Sequence, residues 1–245
     1  MGNVLIIGAT SAVAQAFAQI WADEKHDLYL IARNGEYLDR IANDLQIRSG
    51  LTVHTAVLDV LDYDCHLPTL KNAISTLGQL DVVLVAHGSL GDQHAHEQNY
   101  RSALQEIHVN ATSVIVLLTH LANIMESQQR GVIAVISSVA GDRGRQSNYV
   151  YGAAKGAVTI FLEGLRQRMY KSGIHVLTVK PGFVDTPMTK DRKKGFLWVG
   201  PERVARDISR GIQKRKDEIY SPWFWKYIMI IIRVIPAYVF KRISL

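Results

Sequence analysis

The sequence predicts an α/β fold built on a single, doubly wound parallel sheet. Three observations carry this expectation. Short β-branched or apolar runs alternate with longer amphipathic stretches from the third residue onward, the order of repeated βα units. The 245 residues suit one domain and are few for two. Apolar residues at 48% and charged residues at 20% match ordinary globular usage, which excludes a disordered chain, a collagen-like repeat and a disulfide scaffold.

Taken in order, the apolar run at 3–7 leads through small residues into an amphipathic helix over 11–22, with Ser11 placed to cap it. A second strand at 27–32 precedes a helix over 35–48 behind Asn34, and a third at 52–57 precedes a helix over 64–77. A fourth strand at 80–85 is followed by one long helix over 98–128. A fifth at 131–136 is followed by a helix over 149–171. A sixth strand at 174–179, a helix over 201–215 opened by Pro201 and a weak seventh strand at 217–220 complete the pattern. Residues 1–221 therefore read as one domain. The character of the chain changes near Pro222, and 222–245 reads as an apolar and basic tail on that domain.

The formal net charge of +6 is unevenly distributed: residues 1–189 hold 14 Lys and Arg against 17 Asp and Glu, and residues 190–245 hold 14 against 5. Such a tail can meet an acidic substrate, nucleic acid or an anionic leaflet, and the basic segment that opens it, Lys190-Asp191-Arg192-Lys193-Lys194, either meets a phosphate-bearing substrate or carries solvated loop charges. No nucleic-acid reading motif accompanies it, so nucleic acid is not expected as a partner. Cys65 is the sole cysteine and cannot form an internal disulfide. The chain opens on NVLIIGAT where a signal peptide would have a basic segment and an apolar stretch, so a cytoplasmic location is expected.

Candidate chemistry begins after the first strand. Gly8 supplies a tight turn, and Thr10, Ser11, Ala12 and Val13 open a helix whose N-terminus suits a phosphate. After the second strand stand Arg33 and Asn34, with no carboxylate to hold ribose hydroxyls; Arg33 either binds a 2′-phosphate, favouring NADP over NAD, or is a solvated charge. Asp59, beside Val60, either holds an adenine amino group or caps a helix. Tyr151 and Lys155 stand four apart on a predicted helix and so share a face. A lysine ammonium there is expected to lower the tyrosine pKa toward a working range. Ser138 can hold a substrate oxygen as charge develops on it. Tyr149 and Ser137 are the competing phenol and hydroxyl, but position 153, four beyond Tyr149, is Ala. His94-Ala95-His96-Glu97 lacks metal-ligand spacing; it is expected to be a flexible, substrate-facing loop with no metal.

The segments Ile136-Ser137-Ser138-Val139-Ala140-Gly141 and Tyr151-Gly152-Ala153-Ala154-Lys155 resemble the catalytic region of the short-chain dehydrogenase/reductase family. With Gly8, Asn110 in HVNAT and Pro181-Gly182-Phe183-Val184-Asp185-Thr186, the resemblance spans roughly residues 3–220 in the family's order. It implies a Rossmann-type fold, an NADP cofactor and reduction of a ketone to a secondary alcohol, with a homodimer or homotetramer as the assembly. It further implies that Tyr151 exchanges the proton and Ser138 holds the substrate oxygen. Lys155 would grip the nicotinamide ribose, Asn110 would orient a relay water, and Pro181, Gly182, Val184 and Thr186 would contact the nicotinamide. Two departures stand out. Ala12 and Ala14 replace the second and third glycines of the fingerprint, and the Ala12 methyl is expected to crowd the pyrophosphate. Val85-Ala86-His87-Gly88 stands where the family has Asn-Asn-Ala-Gly, so Ala86, His87 and Gly88 would border the cofactor.

The tail PWFWKYIMIIIRVIPAYVFKRISL is interrupted by Arg233 and Pro236, short of the ~20 apolar residues a spanning helix needs. Its aromatic and basic flanks suit a helix lying in the membrane interface, which would place the protein peripherally on the inner face; burial between subunits is the competing reading. The tail also loosely resembles that of the decaprenylphosphoryl-2-keto-ribose reductases, which reduce a keto sugar on a polyprenyl phosphate. The expected substrate is thus a lipid-linked or hydrophobic ketone. The alternatives are a soluble carbonyl or hydroxysteroid-type reductase whose tail drives oligomerisation, and a non-catalytic dinucleotide sensor or scaffold.

Overall fold

The computed structural model describes residues 2–190 and 192–243; Met1, Asp191 of the basic segment and the last two residues of the tail lie outside the described residues. Seven strands, β1 (Asn3–Ile7), β2 (Asp27–Ala32), β3 (Val53–Val57), β4 (Val82–Val85), β5 (Gly131–Ile136), β6 (Ile174–Pro181) and β7 (Glu218–Ser221), form one sheet in the order β3-β2-β1-β4-β5-β6-β7. Every pairing is parallel. A parallel sheet needs crossovers, and these are the helices α1 (Ala12–Asp23), α2 (Gly35–Ser49), α3 (His66–Leu77), α4 (Gln93–Gln98), α5 (Tyr100–Ile107), α6 (Ser113–Gln128), α7 (Tyr149–Tyr170) and α8 (Pro201–Gln213).

Because helices cover both faces, the strands are apolar nearly throughout, and alternate residues enter two cores. Val4, Ile6, Leu28, Leu30, Val82 and Leu84 face the α1, α2 and α8 layer. Leu5, Ile7, Tyr29, Ile31, Val83 and Val85 face the α3, α6 and α7 layer. The chain runs outward from β1 to β3 and then returns to place β4 on the other side of β1. This reversal leaves a crevice at the carboxyl ends of the central strands, where ligands bind in sheets of this kind.

Two helical expectations need correction. The stretch 98–128 is two helices, α5 and α6, joined by a π-helical turn at His108–Thr112. Asn110 is fully buried in that turn and donates back to the Glu106 carbonyl at 3.1 Å. Val114, Leu117, Leu118, Leu121 and Met125 of α6 pack in the second core, which explains why so long an apolar run belongs to a core. The segment His94-Ala95-His96-Glu97 is helical, within α4, because Asp92 caps its start through the Ala95 amide at 3.1 Å and His96 is buried.

The tail folds back onto the domain as α9 (Trp225–Val234) and the short α10 (Ala237–Phe240), with Pro236 at the break between them. Trp225 and Met229 are buried and pack with Val139, Phe183 and Leu197 in a third apolar cluster. The Arg143 side chain donates to the Ile232 and Arg233 carbonyls and lies 3.8 Å over the Phe240 ring. The opposite side of α9 and α10 stays in solvent.

Candidate active site

One cavity of about 750 Å³ occupies the crevice, within the ~300–1,000 Å³ typical of ligand clefts. All twenty residues nominated from sequence line it: Gly8, Thr10, Ser11, Ala12, Val13, Arg33, Asn34, Asp59, Val60, Ala86, His87, Gly88, Asn110, Ser138, Tyr151, Lys155, Pro181, Gly182, Val184 and Thr186. The convergence is a property of the sheet. Most of the segments follow or close a parallel strand and so emerge on one side, and Asn110, Tyr151 and Lys155 reach it from the helical turn at His108–Thr112 and from α7.

At one end Gly8 adopts φ +82°, and a Cβ there would collide with the backbone of His87; β1 can therefore turn into α1 only through glycine. Its amide and that of Ala9 both bond the Ile31 carbonyl, at 2.8 and 3.0 Å. Ser11 caps α1 by accepting from the Ala14 amide at 3.2 Å. No acidic residue stands in the first turn, and the amides of Ala12 and Val13 belong to the unpaired set at a helix start. The result is a positive, donor-rich cradle. Beyond it Arg33 is exposed, and among the described residues it has no carboxylate within ion-pair distance. Asn34 is committed as the α2 cap through the Tyr37 amide at 2.9 Å. Asp59 takes the Leu61 amide at 3.0 Å through one oxygen.

His87 orients itself without solvent. Ser113 Oγ donates to the Val109 carbonyl at 2.8 Å, so it accepts from His87 Nε2 at 3.0 Å. Nδ1 is left as a buried acceptor with no protein partner. Burial, reinforced by Lys155 and His66, pushes His87 down to about 3, and the ring is neutral.

At the other end, the turn after β5 lies directly on α7. Close approach requires Gly141 and Gly152: a Cβ on the first would sit 2.7 Å from the Lys155 backbone carbon, and on the second 2.9 Å from the Ala140 carbonyl. This contact sets Ser138 opposite Tyr151 and Lys155. Ser138 Oγ accepts from the Ala140 amide at 3.1 Å, and its hydroxyl is a hydrogen-bond partner of the Tyr151 phenol, so the two hydroxyls meet at one point of the cavity. Ser137 is engaged elsewhere, bonded to the Lys155 carbonyl at 3.0 Å and to Thr159 Oγ1 at 2.8 Å. Tyr149 is exposed at the start of α7.

Lys155 is buried, donates to the Ile136 carbonyl at 3.0 Å, and lies 5.7 Å from the Tyr151 ring centre. The expected lowering of the Tyr151 pKa by Lys155 is corrected here. Burial dominates and pushes Tyr151 up to about 12, opposed by Ser138 and Arg192 and helped by Glu106. Burial likewise lowers Lys155 to about 8, with Glu106 opposing it. At neutral pH both groups hold their protons, a pair suited to giving a proton to a ligand oxygen.

Sequence reading overlooked several lining residues. Glu106 stands four before Asn110, on the same helical side, a spacing that could have drawn attention to it. Arg145 also lines the cavity, its Nε buried without a partner among the described residues, and Arg192 of the basic segment singled out from sequence joins it there. Phe183 and Trp198 stack at 5.3 Å on the cavity wall, and Trp225 of α9 meets Phe183 edge-on at 5.0 Å. A Cβ on Gly182 would fall on the Trp225 indole. The tail thus backs the wall of the cavity, a contact that no local pattern announces.

The profile of the short chain dehydrogenase family matches residues 2–195 of the chain. The chain accordingly belongs to that family, and its doubly wound sheet brings Ser138, Tyr151 and Lys155 together at the crevice. Over 239 residues it is 34% identical to an uncharacterized oxidoreductase of Mycobacterium tuberculosis, covering 98% of this chain and 96% of the relative. An uncharacterized oxidoreductase of Streptomyces coelicolor is 29% identical over 242 residues, covering 98% and 95%. Among solved structures, an actinorhodin polyketide ketoreductase with NADPH superposes with a TM-score of 0.78 at 23% identity, over 86% of this chain and 90% of that one. An alcohol dehydrogenase of Thermococcus sibiricus complexed with 5-hydroxy-NADP gives 0.78 at 21% identity, over 90% and 95%.

Proposed function

We propose that the protein is an NADP(H)-dependent oxidoreductase that reduces a ketone to a secondary alcohol. One observation carries the reading: a single cavity runs from the donor-rich start of α1 and the unpaired Arg33 to the buried Tyr151–Lys155 pair. Arg33 grips the 2′-phosphate, the α1 amides hold the pyrophosphate, and Asp59 with Val60 borders the adenine. Ala86, His87 and Gly88 line the middle of the cofactor, while Pro181, Gly182, Val184 and Thr186 flank the nicotinamide. When bound, NADPH supplies the hydride to the carbonyl carbon. Ser138 donates a hydrogen bond to the carbonyl oxygen, and Tyr151 gives that oxygen its proton. Lys155 stabilises the phenolate left behind, and the proton is restored from solvent by way of the Asn110 side of the site. The NADPH and 5-hydroxy-NADP held by the two solved relatives support the choice of cofactor.

The test is a calorimetric titration with NADPH and with NADH. Arg33→Ala is expected to weaken NADPH by about 10- to 100-fold, the worth of a charge-assisted bond, and to leave NADH nearly unchanged. Equal losses for both would sink the 2′-phosphate assignment.

The substrate is a hydrophobic or lipid-linked ketone drawn from an anionic leaflet, with the tail as a peripheral contact. In support, the outward side of the tail presents Trp223, Tyr227, Ile231, Val234 and Tyr238, each more than half exposed, with Lys226, Arg233, Lys241 and Arg242 among them. Deleting 222–245 would also strip Trp225 from the cavity wall, so the clean variant is Trp223→Ser, Ile231→Ser and Val234→Ser together. Wild type is expected to sediment with phosphatidylglycerol vesicles and the variant to remain in solution. Unchanged sedimentation would end the membrane reading, and a loss of oligomeric size without a vesicle effect would assign the face to contacts between copies of the chain.

A further inference from the structure

Glu106 is a carboxylate where the chemistry described so far asks for none. It is 4% exposed, and among the described residues no cation lies within ion-pair distance of it. Such a group is costly to keep charged unless hydrogen bonds hold it. Two do: the Ser89 hydroxyl donates to Oε2 at 2.8 Å and the Gly91 amide to Oε1 at 3.3 Å. Ser89 in turn is locked to Asn110, whose Nδ2 donates to Ser89 Oγ at 3.0 Å and to the Glu106 carbonyl at 3.1 Å, while the Ser89 amide donates to Asn110 Oδ1 at 3.1 Å. The loop is closed, and Glu106 bonds into it at both its side chain and its backbone.

This ring borders Lys155. A Cβ placed on Gly88 would lie 2.7 Å from Asn110 Oδ1 and 3.5 Å from Lys155 Nζ, so the two groups flank the same glycine. Lys155 is the complementary oddity, a buried ammonium with one carbonyl partner and no carboxylate within ion-pair distance among the described residues. We propose that Glu106 is a positioning residue for the Tyr151–Lys155 pair: its carboxylate clamps the Ser89–Asn110 ring beside Lys155 and serves as counter-charge to the lysine. This deepens the ketone-reductase reading and rests on it. Both members of the pair respond to the Glu106 charge in the same sense, each holding its proton more firmly. The other titratable groups around them do not replace it. His87, from the end of β4, is neutral; His96 of α4 bonds Ser102 through Nδ1 at 2.8 Å; Arg192 acts on Tyr151 in the opposite sense.

The experiment compares wild type, Glu106→Gln and Glu106→Asp by NMR titration of isotope-labelled lysine and by the pH profile of ketone reduction. Lys155 is expected to titrate near 8 in wild type and about one pH unit lower in Glu106→Gln, with the aspartate variant recovering part of the shift. Reduction needs Tyr151 protonated, so the alkaline limb of kcat should move to lower pH in the glutamine variant while NADPH affinity stays within about twofold. A Lys155 midpoint and a pH profile that match wild type, with only thermal stability reduced, would overturn the proposal and leave Glu106 a structural residue. A shifted lysine midpoint in a protein that reduces no ketone would retain the positioning role and instead reject the reductase reading.

Discussion

Turnover of the Tyr151→Phe variant is expected to fall by about 10²- to 10⁴-fold, the usual contribution of a positioned general acid. The ring is retained, so the wall of the cavity and NADPH affinity should be nearly unaltered. The size of the loss follows from the surroundings. Burial holds the hydroxyl up to about 12, which keeps it protonated across the physiological range, and the Ser138 hydroxyl is its hydrogen-bond partner, set to bond the same ligand oxygen. With the phenol gone, the developing alkoxide has a hydrogen-bond donor and no acid. The pH dependence has a defined sign: reduction by the native protein should persist on the alkaline side until Tyr151 begins to ionise, whereas alcohol oxidation, which needs the phenolate, should rise with pH. Steady-state kinetics in both directions check this, and turnover unchanged in the phenylalanine variant would remove Tyr151 from its role.

The largest effect on stability is expected at Lys180, one residue before the end of β6. Its side chain is 4% exposed and pairs with Asp142 at 2.8 Å, itself 3% exposed, and with the more open Glu218 at 2.5 Å. Tyr220 donates to the other Asp142 oxygen at 2.7 Å. The network ties the turn that follows Ser138 to β6 and β7. Lys180→Met would leave the Asp142 carboxylate buried beside a thioether, a loss of about 3–5 kcal/mol. Denaturant unfolding measures it; a loss below about 1 kcal/mol would show that the pair is not the anchor its burial suggests. Adding Asp142→Asn should return part of the stability, because the orphaned charge goes with it. Lys180 binds its proton more tightly in the folded chain than in the unfolded one, its two carboxylates outweighing its burial. Its contribution is therefore complete below the unfolded lysine pKa of about 10.4 and is lost only as pH rises through the higher folded value.

Much of this molecule is legible from local pattern. The seven strands fall within a few residues of their expected places, the inner ones most clearly because a strand buried on both faces must be apolar along most of its length, whereas the edge strands β3 and β7 are half-buried and mixed. Most of the nominated residues meet in one cavity because their segments lie at the carboxyl ends of parallel strands, which point to one side, and Asn110, Tyr151 and Lys155 reach the same place from helices. Gly8 could be placed from sequence as a turn, since β1 passes into α1 within a few residues.

Other features depended on partners distant in the chain. The helix expected over 98–128 is broken at Asn110, whose side chain bonds to Ser89 twenty-one residues earlier. His96 is buried in the helix α4 rather than carried on a flexible loop, and α4 is bound to the start of α7 by the Gln93 side chain accepting the Val150 amide at 3.1 Å. The spacing of Tyr151 and Lys155 correctly put them on one face of α7 but gave the wrong direction for the tyrosine. The pKa of a phenol depends on how much water it loses and on charges from other elements, here Glu106 and Arg192, and neither is encoded in a four-residue interval. The sequence by itself determined the order of elements, the parallel sheet and the residue types brought to its crevice, because periodicity and turn chemistry are local. The tertiary structure alone decided the protonation of Tyr151 and Lys155, the bonding of Glu106 to Ser89 and Gly91 and the seating of Trp225 against Gly182, because burial and electrostatic fields are sums over residues that only folding brings together.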